Sequence, residues 1–169
     1  MSIQIINRTR TRVEIDKKYK IVKKYFLKKY LNEFPNIMNR EVYWLKKMKT
    51  FDRTPNLISY DHDESVVVMS YMGERLSKEN IPSDYKQQMY YILNEFKKYG
   101  CNHNDIKPRE LLVCDKKINI VDFGWSTKIG EPIPEHWPNS LGASYRQPDN
   151  KLDDEYSFRE SIKSILTLE

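Results

Sequence analysis

Two short apolar runs, residues 111–113 and 118–121, flank the polar tetrapeptide Cys-Asp-Lys-Lys. Apolar runs of that length around a polar turn form an antiparallel hairpin. The chain entering such a hairpin and the chain leaving it lie at the same end. The entering loop carries Asp105 and Glu110, and the leaving loop carries Asp122. Any fold for this chain therefore has to bring three carboxylates near one another.

The elements around this hairpin predict an α+β chain. Residues 82–100 form the clearest helix, capped by Ser83 or Asp84 and stopped by Gly100. Along it Tyr85, Met89, Ile92, Phe96 and Tyr99 recur at spacings of four and three, which makes one buried stripe. Upstream, residues 2–6 and 12–16 read as strands joined by a polar turn. Residues 19–26 alternate as a third strand, with Tyr19, Ile21 and Lys23 on one face and Lys20, Val22 and Lys24 on the other. Asn39 is placed to cap a helix running to about Lys49, with Glu41 in its first turn, where the dipole favours an anion. Residues 57–60 and 65–71 form a strand pair. Residues 153–169 form a last helix with Phe158, Ile162, Ile165 and Leu166 inward.

The stretch His-Asn-Asp-Ile-Lys-Pro at 103–108 is followed, seventeen residues after Asp105, by Asp-Phe-Gly at 122–124. Across a hairpin, this pair resembles the catalytic and metal-binding loops of the eukaryotic-type protein kinase superfamily. The resemblance implies a two-lobed fold. Residues 1–72 would be a small antiparallel-sheet lobe with one helix, and residues 73–169 a reduced, mostly helical lobe.

It also implies roles. Asp105 would orient an acceptor hydroxyl and take its proton, and Lys107 would neutralise the transferring phosphoryl group. Asp122 would hold Mg²⁺ or Mn²⁺ against the phosphates of ATP. "YKIVKKYF" is similar to the strand carrying the nucleotide lysine, with Lys23 as the choice and Lys24 as the alternative. "REVYWLKKM" resembles the helix that supplies that lysine's partner, Glu41. "VVVMSYMG" resembles the strand leading to the adenine-binding hinge, with Met69 as gatekeeper and Ser70, Tyr71 and Met72 as the hinge. "GASYRQPD" is similar to the end of an activation segment. "DDEYSF" resembles the start of a central helix anchored by Asp154, and His103 would brace the loop from the core side. The implied reaction moves the γ-phosphate of ATP to a hydroxyl. The acceptor is Ser or Thr of a protein, or a small molecule such as a sugar or lipid.

The chain departs from the family pattern in four places. Glu110 stands where the family has a magnesium-binding Asn. Either it binds metal as a carboxylate, or it points to solvent and a second metal is lost. None of the five glycines precedes Gly73, so the glycine-rich loop over the phosphates is replaced by "NRTRT", whose Arg8, Arg10 and Arg12 could reach phosphates with side chains. Asn104 replaces the Arg that pairs with a phosphorylated activation loop. The chain stops soon after the last helix, whose open stripe would be left partly open, shielded differently or buried in a homo-oligomer. The missing glycines and Glu110 support a competing reading, a pseudokinase that binds or scaffolds without efficient catalysis.

Charge is uneven. Residues 1–50 hold 14 Lys/Arg and 4 Asp/Glu, whereas residues 51–169 hold 15 and 20. A basic first part attracts polyanions such as nucleotide phosphates. A nucleic-acid partner is not expected, because "KKYKIVKKYFLKKY" is explained as well by a strand edge and its exit. No stretch approaches the roughly 20 apolar residues of a membrane helix, and the N-terminus has no signal-like apolar core. Cys101 and Cys114 make no disulfide framework, and reduced thiols fit a cytoplasmic setting. In a compact viral genome that would be the host cytoplasm.

Overall fold

A computed structural model describes residues 3–149 and 151–167. Ser2 and residues 168–169, which the predicted first strand and last helix include, lie outside the described residues. The fold is α+β, with antiparallel sheets and four α-helices among the described residues. The chain divides into two compact units, Met1–Tyr71 and Met72–Glu169.

The first unit is built on a five-stranded sheet of order β1-β2-β3-β5-β4. Its strands are β1 (Gln4–Asn7), β2 (Thr11–Asp16), β3 (Ile21–Phe26), β4 (Leu57–Asp61) and β5 (Val66–Ser70). Two helices lie between β3 and β4: α1 (Lys28–Glu33) and α2 (Ile37–Lys47). The third strand begins two residues later than expected, because Lys20 sits at a positive φ of 53° and ends the preceding turn. The sequence reading missed α1. There Tyr30 is buried, stacked on Phe26 and edge-to-face with Phe34, with ring centroids 6.4 and 5.5 Å away.

Helix α2 also begins earlier than the predicted Asn39 cap. Asn36 occupies the N-cap position and makes no side-chain cap hydrogen bond. The reason is burial: Ile37, Met38, Glu41, Val42, Trp44 and Leu45 form one inward stripe, and it starts at the first residue of the helix.

The second unit holds β6 (Glu74–Arg75), α3 (Tyr85–Tyr99), β7 (Cys101–Asn102), β8 (Leu111–Cys114), β9 (Lys117–Ile120), β10 (Thr127–Lys128) and α4 (Asp154–Thr167). Strands β6, β8 and β9 form one small sheet, and β7 pairs with β10. The predicted hairpin is β8–β9. Its two turn residues, Asp115 and Lys116, have φ of 49° and 60°, the combination that a tight hairpin of matching twist requires.

Helix α3 ends at Gly100 in the left-handed conformation, as its sequence predicts. Its buried residues are Gln88, Met89, Ile92, Leu93 and Phe96. The predicted ends of the stripe, Tyr85 and Tyr99, are only half-buried. Gln88 is inside because its amide works there: Nε2 donates to the Lys116 carbonyl and Oε1 accepts from the Ile118 N–H, both at 2.8 Å. Gly73 has a φ of 111°, and a Cβ there would stand 2.1 Å from the Val113 carbonyl oxygen. Only glycine lets β6 approach β8 so closely.

Candidate functional site

In the first unit the notable feature is a buried ion pair. Lys24 Nζ lies 2.7 Å from Glu41 Oε2, and the two side chains are 8% and 1% exposed. Strand register explains which lysine is used. Residues directly opposite across antiparallel strands share a face. Lys24 stands opposite Val67, which is fully buried, so it points to the core side. Lys23 stands opposite Glu14 on β2 and is exposed. The lysine that pairs with Glu41 is therefore Lys24, the alternative, and not the preferred Lys23.

Two of the three arginines at the β1–β2 turn, Arg10 and Arg12, lie over aromatic rings. The turn is short, closed by an Arg8 N–H to Thr11 carbonyl hydrogen bond of 2.8 Å. The Arg10 guanidinium lies over the rings of Tyr30 and Phe34, 5.3 and 5.5 Å from their centroids. Arg12 pairs with Glu14 and covers Tyr25 at 4.9 Å. The predicted gatekeeper Met69 is buried in β5, and in the predicted hinge Ser70 exchanges hydrogen bonds with Asn56 through its N–H and its hydroxyl. The Tyr71 N–H donates to the Lys20 carbonyl, while Met72 opens the second unit and its carbonyl accepts from Asn119 Nδ2 at 2.7 Å.

The second unit assembles the loop residues around His103. This side chain is fully buried, its ring 6.0 Å from Phe96 and 4.8 Å from Phe123. Nε2 lies 3.1 Å from the Val121 carbonyl, and the Asp105 N–H donates to Nδ1 at 3.3 Å. A carbonyl needs a donor and an N–H needs an acceptor, so the ring is the neutral Nε2–H tautomer. Burial holds the imidazole neutral by lowering its pKa, with the charge of Asp154 opposing.

Asp154, in the first turn of α4, accepts the His103 N–H at 2.6 Å and the Asn104 N–H at 2.9 Å. Asp153 caps the same helix through Oδ1 to the Tyr156 N–H at 2.9 Å. The loop is thus pinned to a helix that is itself held at its end. Asn104 has a φ of 68°, which Asn tolerates better than most residues. Its Nδ2 donates to the Trp125 carbonyl at 2.8 Å and to Thr127 Oγ1 at 3.0 Å. A short neutral amide at this position ties the two loops together.

Asp105 is buried, at 3% exposure. Its Oδ2 is in direct contact with Lys107 Nζ, and its Oδ1 accepts the Gly142 N–H at 3.2 Å. Burial pushes the carboxyl above its usual range, Lys107 pulls it back, and the nearby Asp122 charge pushes it up again. Gly142 is in the left-handed region with a φ of 63°, and a Cβ there would meet the Asn104 carbonyl oxygen at 3.4 Å. Segment 142–145 is fixed in turn to α4 by Ser157 Oγ, which donates to the Tyr145 carbonyl at 2.7 Å.

Asp122 follows β9 with a φ of 71°. A non-glycine residue there costs on the order of 1 kcal/mol or more. The conformation persists because both neighbours are held: the Val121 N–H donates to the Glu110 carbonyl at 3.1 Å, and Phe123 is fully buried.

Of the two alternatives for Glu110, burial excludes the solvent-facing one. The side chain is fully buried, and its Oε1 accepts Arg109 Nε at 2.8 Å. Among the described residues no group of three or more His, Cys, Asp or Glu side chains is arranged to hold a metal ion. Mg²⁺ bound with a nucleotide needs only one or two carboxylates, the remaining positions going to water and phosphate. The half-buried Asp122 fits such a role, and Glu110 has one of its two carboxylate oxygens, Oε1, engaged by Arg109. Among the described residues no helix is long and apolar enough to cross a membrane.

No protein-family model matches the chain, and no curated protein matches it.

Proposed function

We propose that this chain is a nucleotide-dependent phosphotransferase whose two units are the lobes of a reduced protein-kinase-like fold. The observation that carries this reading is the arrangement at Asp105. Its carboxylate is oriented by the Gly142 N–H and by Lys107, and Asp122 is close enough to raise its pKa. The buried Lys24–Glu41 pair supports it, since an ammonium kept in one place by a carboxylate suits the α- and β-phosphates of ATP.

The reaction follows from these groups. The acceptor hydroxyl oxygen attacks the γ-phosphorus, forming the new O–P bond. The bond from that phosphorus to the bridging oxygen breaks, and its electron pair leaves with ADP. The hydroxyl proton passes to Asp105. Lys107 neutralises charge on the transferring group, and Lys24 with Glu41 orients the nucleotide. When bound through Asp122, Mg²⁺ or Mn²⁺ would neutralise phosphate charge. The acceptor in this reading is Ser or Thr of a protein, with a small hydroxyl-bearing molecule as the alternative.

Two observations favour a second reading, a nucleotide-binding or scaffolding module without turnover. The Arg10 guanidinium lies over the Tyr30 and Phe34 rings, and Glu110 accepts from Arg109. Purified protein with γ-labelled ATP and Mg²⁺ or Mn²⁺ separates the two. Metal-dependent transfer that disappears in Asp105→Asn and Asp122→Asn supports the enzyme. Nucleotide binding without transfer supports the scaffold, and neither binding nor transfer defeats both.

A further inference from the structure

Within the second unit, an open cleft of about 640 Å³ lies beside the Asp105 loop. Its walls carry Arg75, Lys78, Lys107 and Arg109, with Tyr145 and Ile165 providing apolar surface. The one acidic side chain lining it, Glu79, is exposed and accepts a hydrogen bond from the Ser77 hydroxyl. The carboxylates that face two of the cations are set behind them: Asp105, at 3% exposure, behind Lys107, and Glu110, fully buried, behind Arg109. The surface offered to a ligand is therefore cationic. The cations stand on two separate stretches of chain, residues 75–78 and residues 107–109. Arg75 and Lys78 are exposed, and Arg109 is 49% exposed.

Resting on the phosphotransferase reading, we propose that the acceptor is an acidic peptide segment, a Ser or Thr hydroxyl flanked by Asp or Glu, seated in this cleft. Residues 107–109 line the cleft, and Lys107 links it to the chemistry, because its ammonium is in direct contact with the Asp105 carboxylate behind it. Cations spread along two walls suit several carboxylates on an extended chain. A compact metabolite is held instead in a pocket that encloses most of its surface. Tyr145 and Ile165 give the peptide's side chains apolar contact.

The test uses the full-length protein and three fluorescent Ser-containing peptides: one flanked by Glu, one by Lys and one by neutral residues. Binding is followed by anisotropy and transfer by label from ATP, with glucose 6-phosphate as a small anionic acceptor in a parallel arm. The expected result is preference for the Glu peptide by roughly tenfold or more, shrinking as salt rises. Arg75→Glu/Lys78→Glu should reverse the preference among the three peptides. Peptide binding is read independently of turnover. Glu-peptide binding that the double variant loses, with no ATP consumed, would defeat the phosphotransferase reading and leave the cleft's specificity standing. Equal binding of the three peptides, a preference for Lys, or transfer to the sugar phosphate with no peptide accepted would overturn the proposal.

Discussion

Glu41 and Glu110 are both enclosed carboxylates, each facing a cation, yet they are built by opposite routes. Glu41 meets a lysine seventeen residues away, delivered by a different element, and both side chains are out of water. Glu110 meets its own neighbour, Arg109, whose guanidinium stem is half in solvent. In the first pair neither charge can relax toward water. In the second, the cation keeps a wet side that is available to a ligand. One pair is a fixed internal strut, and the other backs the cleft proposed to seat the acceptor.

Several substitutions would break or sharpen this contrast. Lys24→Met leaves the Glu41 carboxylate buried without its ammonium. It should cost about 3–5 kcal/mol in denaturant unfolding and abolish nucleotide-dependent transfer. Lys23→Met should stay within about 0.5 kcal/mol, since Lys23 is exposed. Equal costs would mean that the register of β3 is wrong.

Asp105→Asn probes the loop side. The fold should hold, because burial already disfavours the charged form of this group. Transfer should fall by about 10²–10⁴-fold, the usual loss of a general base. An unchanged rate would remove Asp105 from the chemistry.

Arg109→Met should cost less than Lys24→Met, about 1–3 kcal/mol, for leaving a buried acceptor poorly satisfied. Adding Glu110→Gln should recover part of it, because the uncompensated charge is then gone. A cycle with no coupling would refute the pair.

The smallest effect is in pH dependence. A base must be ionised to act, and the Asp105 pKa is raised, mainly by burial. The acid limb of kcat/KM should therefore lie above the usual Asp value of about 3.9. Lys107 opposes that shift, so Lys107→Met should move the limb to still higher pH in the residual activity. A limb that moved down instead would place the proton elsewhere.

Much of this was legible before any coordinates. The hairpin around Asp115 and Lys116 and the α3 stop at Gly100 follow from the sequence reading, whereas the link from Asp154 to the His103 loop came only with the fold. The early start of α2 was hidden because the sequence offers a good cap at Asn39, while burial of Ile37 and Met38 recruits the preceding turn. Helix α1 was hidden because Lys28–Glu33 is too short for a helical period to declare itself. It is held by Tyr30 packing between Phe26 and Phe34.

By itself the sequence determined what depends on neighbours along the chain. A turn of two residues, a glycine stop and the two-residue step from Asp105 to Lys107 are set by local sterics and spacing. Only the tertiary structure decided the parity of β3, the partner of Glu110 and the seat of Arg10. Adjacent residues of a strand point to opposite faces, so Lys23 and Lys24 are indistinguishable until β5 lays Val67 beside one of them. Likewise a carboxylate's charge is settled by whichever cation the packing brings within reach, and packing is a property of the whole fold.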